Sequence, residues 1–337
     1  MSIRVAINGF GRVGRLAFRQ FFNSDEYEVV AINDLADSTM LAYLLKHDST
    51  QGMYRLADEV AAGEDYINVS KRKINVYKEA DASKLPWRQL RVDVVLECSG
   101  AYLSKAKSQA HLDAGASKVV ISAPAGKDMP TIVFGINEKL LTPDDKIISA
   151  ASCSTNCLAL VAKALNDYVP IQSGISTTIH AFTATQMILD GPQRKGNFRR
   201  SRSAPVNIVP TTAEAAKAIG LVIPELDGKL SGSAQRVPVA AGCLIILIAV
   251  VNGKDLTVES INAAMKACSS DSFGYTEEEL VSSDIVGITY GSLFDATQTM
   301  ISQINENTYQ VQITSWFDNE NSYVSQMVKT AKYFAKL

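Results

Sequence analysis

The chain has 337 residues, more than one core ordinarily serves, so two domains are the natural expectation. A hydrophobic content of 47% and a charged content of 20% fit a soluble globular protein, and a net charge of -2 leaves no basic footprint for nucleic acid. No signal peptide opens the sequence and no apolar run approaches bilayer length, while five cysteines without framework spacing argue for reduced thiols in a cytoplasm.

Residues 3–8 alternate and predict a strand, and Gly9-Phe10-Gly11-Arg12-Val13-Gly14 follows at once. The next segment, 12–22, carries Leu16, Phe18, Phe21 and Phe22 at helical spacing, and 28–33 reads as a second strand. Alone, G-x-G-x-x-G is a weak signal. With a strand before it, a helix after it and Asp34 at the end of the next strand, it has the context that a dinucleotide fingerprint requires. Gly9 permits the tight turn, Gly11 lets backbone approach a pyrophosphate, and Gly14 allows close helix–strand packing. Asp34 is suited to ribose hydroxyls and would repel a 2′-phosphate, which favours NAD over NADP.

Further buried-type strands are expected at 92–96 and 118–122, with a helix at 105–114 between them. Ser99-Gly100, Ser122 and 123–126 fall at strand ends, where an open parallel sheet holds ligands. A last strand at 145–150 completes a Rossmann-type doubly wound NAD domain over 1–152.

The stretch 149–157, Ser-Ala-Ala-Ser-Cys-Ser-Thr-Asn-Cys, then leads into an apolar helical run. Cys153 falls in the first turn of that helix, where the dipole and unpaired N–H groups favour thiolate. The alternative is a small buried cysteine. The three histidines are His47, His111 and His180, and no ligand cluster has zinc spacing, so no metal is expected.

After this helix the pattern changes to an α+β domain over 153–318 with a mostly antiparallel sheet. A Thr- and Ile-rich strand at 174–182 contains His180, and a long basic loop at 190–202 follows. A short helix opens near 211–218, strands dominate 237–251 and 285–316, and a helix lies at 258–267. Helical spacing over 319–334 suggests a terminal helix, 319–337, returning to the first domain.

A thiol beside a histidine, joined to a nicotinamide domain, suggests thiolate addition to an aldehyde, hydride loss and an acyl thioester. His180 is the candidate base, and its ring N–H with the Cys153 backbone N–H suits the oxyanion. Otherwise His180 is structural.

Five stretches, INGFGRVGR (7–15), ASCSTNC (151–157), HAFTATQ (180–186), GSAQRVPV (232–239) and WFDNENSY (316–323), occur in order, and across nearly its whole length the chain resembles phosphorylating glyceraldehyde-3-phosphate dehydrogenases. The resemblance implies oxidation of glyceraldehyde 3-phosphate by NAD and inorganic phosphate to 1,3-bisphosphoglycerate, in a cytoplasmic homotetramer whose 183–205 loop reaches a neighbouring subunit. It implies Cys153 as nucleophile with His180 as base, Thr183 and Arg236 on the substrate's own phosphate, and Ser152 and Arg200 on the attacking phosphate. Asn319 aligns with a residue bonding the nicotinamide carboxamide, Tyr323 with the flanking ring, and Arg12 and Val13 with residues lining the dinucleotide.

The chain departs from the pattern at Ser154, Phe317 and Asn321, and carries apolar Ile245 and Ile246 in place of a polar–acidic pair. More consequential is Ala213-Glu214 where the family has Thr-Gly in its phosphate site. One reading is a capping box, Thr211-x-x-Glu214, with phosphate held by Ser152, Ser154, Thr212 and Arg200. The other is that Glu214 repels the inorganic phosphate, which leans toward thioester hydrolysis as in erythrose-4-phosphate dehydrogenase. A surface-adhesin or RNA-binding role has no feature in the sequence.

Overall fold

Strand β1 (Ile3–Asn8), helix α1 (Arg12–Phe21) and strand β2 (Tyr27–Asn33) open the computed structural model, which describes residues 2–22 and 24–337. The chain divides into two units: Met1–Ala151 with Met327–Leu337, and Ser152–Gln326.

In the first unit there follow α2 (Ser38–Lys46), β3 (Val60–Ala62), β4 (Tyr66–Val69), β5 (Arg72–Tyr77), β6 (Val94–Glu97), α3 (Lys105–Asp113), β7 (Lys118–Ile121) and β8 (Ile147–Ser149). The sheet order is β3-β4-β5-β2-β1-β6-β7-β8. From β5 to β8 every pairing is parallel, and only β3–β4 and β4–β5 are antiparallel. Strand order reverses at β1, which lies between β2 and β6 with its carboxyl end at the glycine turn. β6 and β7 are buried at every position, which is why 94–96 and 119–121 read as apolar without alternation, although Glu97 and Lys118 at the strand ends are buried too. The antiparallel edge and α2 carry no strong pattern in the sequence and were not anticipated.

The second unit holds α4 (Cys153–Tyr168), β9 (Ile171–Ala181), β10 (Val209–Thr212), α5 (Glu214–Val222), β11 (Leu230–Val237), β12 (Cys243–Asn252), α6 (Val258–Ala267), β13 (Phe273–Thr276), β14 (Ser292–Asn305) and β15 (Thr308–Phe317). Its order is β10-β11-β9-β12-β15-β14-β13, antiparallel except at β11–β9 and β13–β14. β12 alternates its exposure along the strand, so Ile245 is in the core while Ile246 is half-buried on the other face. Strand structure expected from 285 begins instead at Ser292. Ile285 is fully buried, but within an irregular segment, so its hydrophobicity reports packing and not pairing.

Helix α7 (Asn321–Lys336) closes the chain. Its residues up to Gln326 cluster with the second unit, and only Met327 onward with the first, a later crossover than the 319 expected. Within the first unit Lys118 donates from Nζ to the Phe334 carbonyl at 2.6 Å and lies 4.7 Å from the Phe334 ring centroid. That contact fastens the chain terminus to β7. Among the described residues no helix is long and apolar enough to cross a membrane.

Candidate active site

The turn before α4 sets the geometry of the thiol. Ala151 takes a left-handed φ of 59°, a conformation costly for a residue with a Cβ. Ser152 is then the N-cap, its Oγ accepting from the Thr155 backbone N–H at 3.0 Å. Cys153 is thereby the first helical residue, with Ser154 in the same turn and its Oγ 3.3 Å from that of Ser152. The sulfur lies 3.4 Å from His180 Nε2. By contrast Cys157, one turn on, is fully buried against Ser292, and burial pushes its thiol up to about 12.

His180 sits next to the end of β9, and the parallel β9–β11 register sets Arg236 directly opposite it. His180 Nδ1 is 2.8 Å from the Ala181 carbonyl oxygen, and Arg236 Nη1 donates to that same oxygen at 2.9 Å while lying 2.7 Å from Nδ1. Nδ1 thus faces both a carbonyl that can take its proton and an Arg236 N–H that can only donate: the tautomer with Nδ1–H on the carbonyl presents the Nε2 lone pair to the sulfur, and the tautomer accepting from Arg236 carries its proton on Nε2. Burial, then the positive charge of Arg236, lowers His180 to about 3, so the imidazole is neutral at physiological pH. Burial also raises the Cys153 thiol, against the pull of Arg236 and of the Ser154 and Cys153 backbone N–H groups.

Arg200 donates to Thr185 Oγ1 at 2.9 Å and to Thr211 Oγ1 at 3.1 Å, and Thr185 contacts Thr183 Oγ1 at 3.0 Å. The basic loop is therefore shaped: Arg199–Ser201 forms a turn of 3₁₀ helix and Arg202 pairs with Asp190 at 2.8 Å. Among the described residues the buried Nε groups of both Arg200 and Arg236 have no hydrogen-bond partner, an arrangement that suits an arriving anion. Thr212 is exposed at the end of β10. The expected capping box is not formed. Ala213 is the N-cap of α5 without a side-chain bond, because Thr211 belongs to β10 and its hydroxyl serves Arg200. Glu214 is exposed in the first turn of α5.

Asn319 and Tyr323 lie in the second unit, Asn319 Oδ1 accepting from the Cys243 thiol at 3.4 Å and Tyr323 only 4% exposed. Cys243, also 3.5 Å from His180 Nδ1, was missed in the sequence, since its place depends on β9–β12 pairing. Among the described residues no group of His, Cys, Asp and Glu is placed to hold a metal ion.

In the first unit a cavity of about 450 Å³ opens at the carboxyl ends of β1 and β2, lined among others by Gly9, Gly11, Asp34 and Ser99. Gly9 has φ 92°, and a Cβ there would sit 2.4 Å from the Ser99 backbone nitrogen. A Cβ on Gly14 would lie 2.1 Å from the Gly9 carbonyl oxygen, whereas one on Gly11 would meet nothing within 4 Å. Two glycines are thus needed for the turn itself, and the third keeps space open. The N-cap of α1 is Gly11, which has no side chain to bond the first-turn N–H groups, an opening that suits a pyrophosphate. Asp34 accepts from the Phe10 and Ala36 N–H groups, which leaves acceptor capacity on both oxygens for ribose hydroxyls. Arg12 pairs with Asp48 at 2.6 Å and Val13 is half-buried. Ser122 stands at the end of β7 with its hydroxyl on Cys98, which itself lines the cavity. Asn8, Asn33, Glu79 and Tyr102 also line it and were not singled out from the sequence.

A glycine turn open to a dinucleotide in one unit and a thiol with a histidine in reach in the other describe an NAD-dependent dehydrogenase. Residues 3–105 match the family model of the glyceraldehyde 3-phosphate dehydrogenase NAD binding domain, and residues 152–319 that of its C-terminal domain. The chain is 56% identical to a glyceraldehyde-3-phosphate dehydrogenase of Clostridium pasteurianum and 54% to one of Clostridium acetobutylicum, each over 99% of both chains. Against that of Streptococcus pyogenes serotype M1 it is 52% identical over its full length and 99% of the relative. The chain belongs to the glyceraldehyde-3-phosphate dehydrogenase family.

Proposed function

We infer that the chain oxidises D-glyceraldehyde 3-phosphate to 1,3-bisphosphoglycerate with NAD and inorganic phosphate, as a glycolytic enzyme. The observation that carries the reading is the 3.4 Å contact of Cys153 Sγ with His180 Nε2 at the start of α4, in a chain of this family. NAD, when bound, supplies the nicotinamide that accepts a hydride.

His180 takes the Cys153 proton, the sulfur adds to the aldehyde carbon, and the same proton passes from His180 to the carbonyl oxygen to give a hemithioacetal and a neutral imidazole. His180 then removes the hydroxyl proton as the carbon loses hydride, leaving an acyl thioester. Phosphate attacks the thioester carbonyl, the C–S bond breaks, and the thiolate returns. Arg236 and Thr183 hold the phosphate of the substrate; Ser152, Ser154, Thr212 and Arg200 hold the attacking one. A substrate dianion on Arg236 offsets the positive charge that depresses His180, so the base strengthens as the substrate binds.

Gly9, Gly11, Arg12, Val13, Gly14, Asp34 and Ser122 bind the dinucleotide, with Asn319 and Tyr323 at its nicotinamide. The first unit, Met1–Ala151 with Met327–Leu337, is the NAD domain, and Ser152–Gln326 is the catalytic one. A homotetramer is supported by exposed apolar side chains along the basic loop, Phe198 at 90% and Leu189 at 75%. A cytoplasmic location fits five free cysteines.

The test is NADH formation from glyceraldehyde 3-phosphate with and without phosphate. Strong phosphate dependence is expected. Equal rates without phosphate, or preference for erythrose 4-phosphate, would replace this reading with the hydrolytic one.

A further inference from the structure

Glu97, the last residue of β6, is fully buried and is not used by the chemistry above. Its carboxylate receives the Asn8 Nδ2 amide at 2.5 Å, His111 Nε2 at 3.0 Å, the Ser99 backbone N–H at 2.8 Å and the Ser99 hydroxyl. The direction of each bond follows from the chemistry of the partners. Trp87 Nε1 can only donate, and it lies 3.1 Å from His111 Nδ1. Nδ1 therefore accepts, the His111 proton is on Nε2, and it points at Glu97. Burial would raise the Glu97 carboxyl, but the bonds from His111, Ser99 and Asn8 overcome that and hold it below the ordinary value.

The polarity continues outward. With Nδ2 committed to Glu97, Asn8 turns its Oδ1 to Asn33 Nδ2 at 2.7 Å. Asn33 Nδ2 also donates to the Glu79 carbonyl at 2.9 Å, and its Oδ1 accepts from the Glu79 N–H at 2.9 Å. Asn8, Asn33, Glu79 and Ser99 all line the cavity of the first unit. Four elements of that wall thus take their orientation from one acceptor-only group. Ser99 matters twice, because its backbone is what closes on Gly9.

We propose that Glu97 is a positioning residue for NAD: its buried carboxylate fixes which way Asn8 and Asn33 present their amides to the dinucleotide and holds Ser99 against the glycine turn. The proposal rests on the reading that this cavity is the NAD site. An amide at position 97 would face a donor with a donor. If Asn8 flipped to relieve this, it would oppose Asn33, and Asn33 in turn would oppose the Glu79 N–H. The error propagates into the wall and cannot be absorbed locally.

The test is Glu97→Gln in the full chain, with NAD affinity measured by calorimetric titration beside steady-state kinetics. NAD affinity should fall about tenfold and KM for NAD rise with it, as expected for misdirected buried donors, while kcat at saturating NAD stays within about twofold. A lowered melting temperature with unchanged NAD affinity would overturn the proposal and leave Glu97 as a stability residue. Should that variant not fold, His111→Leu and His111→Gln carry the test. Loss of the donor should weaken NAD binding about threefold, and glutamine, which can still donate, should restore it; identical affinities for the two would overturn the proposal. Gly11→Val separates the premise: if it leaves NAD binding intact, the cavity assignment fails whatever position 97 does.

Discussion

The two units prepare for their ligands by different constructions. In the first, one continuous turn from Gly9 to Gly14 closes on Ser99 and opens at Gly11. In the second, the candidate site residues gather from 152–154, 180–185, 200, 211 and 236, and their neighbourhood depends on strand register. A turn carries its requirements in adjacent residues. A gathered site carries them in pairings between distant strands, so each of its members tolerates change differently.

The largest effect that separates the two is expected from Cys153→Ala. Turnover should fall by about 10⁴-fold or more, since the proposed nucleophile is gone. NAD affinity by titration should be retained, because the glycine cavity is built wholly within the first unit. Substantial NADH production by this variant would remove the covalent mechanism. Loss of NAD binding with it would show that the contrast between the units is false.

What the sequence made legible follows the same division. Gly9, Gly14 and Asp34 were readable because strand, turn and helix succeed one another without interruption. The place of Cys153 in the first turn of α4 was readable because Ser152 is a strong cap immediately before an apolar helix. The closeness of Arg236 to His180 was not, because it arises from a parallel pairing of β9 with β11 across 56 residues. Nor was Glu97, since a charged residue ending an apolar strand reads as an exit to solvent, and only His111 and Asn8 reveal that it is buried. Thr211-x-x-Glu214 matched a local pattern and misled, because pairing of Thr211 with Ala234 placed it in β10.

A smaller effect tests whether the glycine turn works as described. Gly14→Ala forces a methyl to 2.1 Å from the Gly9 oxygen, while Gly11→Ala meets nothing in the protein. The first should destabilise the chain by about 2 kcal/mol or more, several degrees in thermal melts. The second should leave the melting temperature unchanged and weaken NAD alone. Equal losses of stability from both would mean that Gly11 is also structural and that its open space is not reserved for a ligand.

The smallest effect concerns Glu214, which sharpens the contrast from the side of the gathered site. Without a capping box its carboxylate is not engaged with the helix start, and it stands in the first turn of α5, three residues beyond the Thr211 that receives Arg200. A carboxylate there would oppose an arriving phosphate through like charge across a solvent-screened distance. Glu214→Gln removes the charge and keeps the side-chain volume and the helix, so KM for phosphate should fall about fivefold at low ionic strength, and less at high salt. KM for NAD should not move. If phosphate KM is also unchanged, Glu214 is a surface residue and Arg200 with the α4 N-terminus suffices for the attacking phosphate. If instead it rises, the carboxylate orders the site through a contact that outweighs its charge, and the local gain from its removal would have been overestimated.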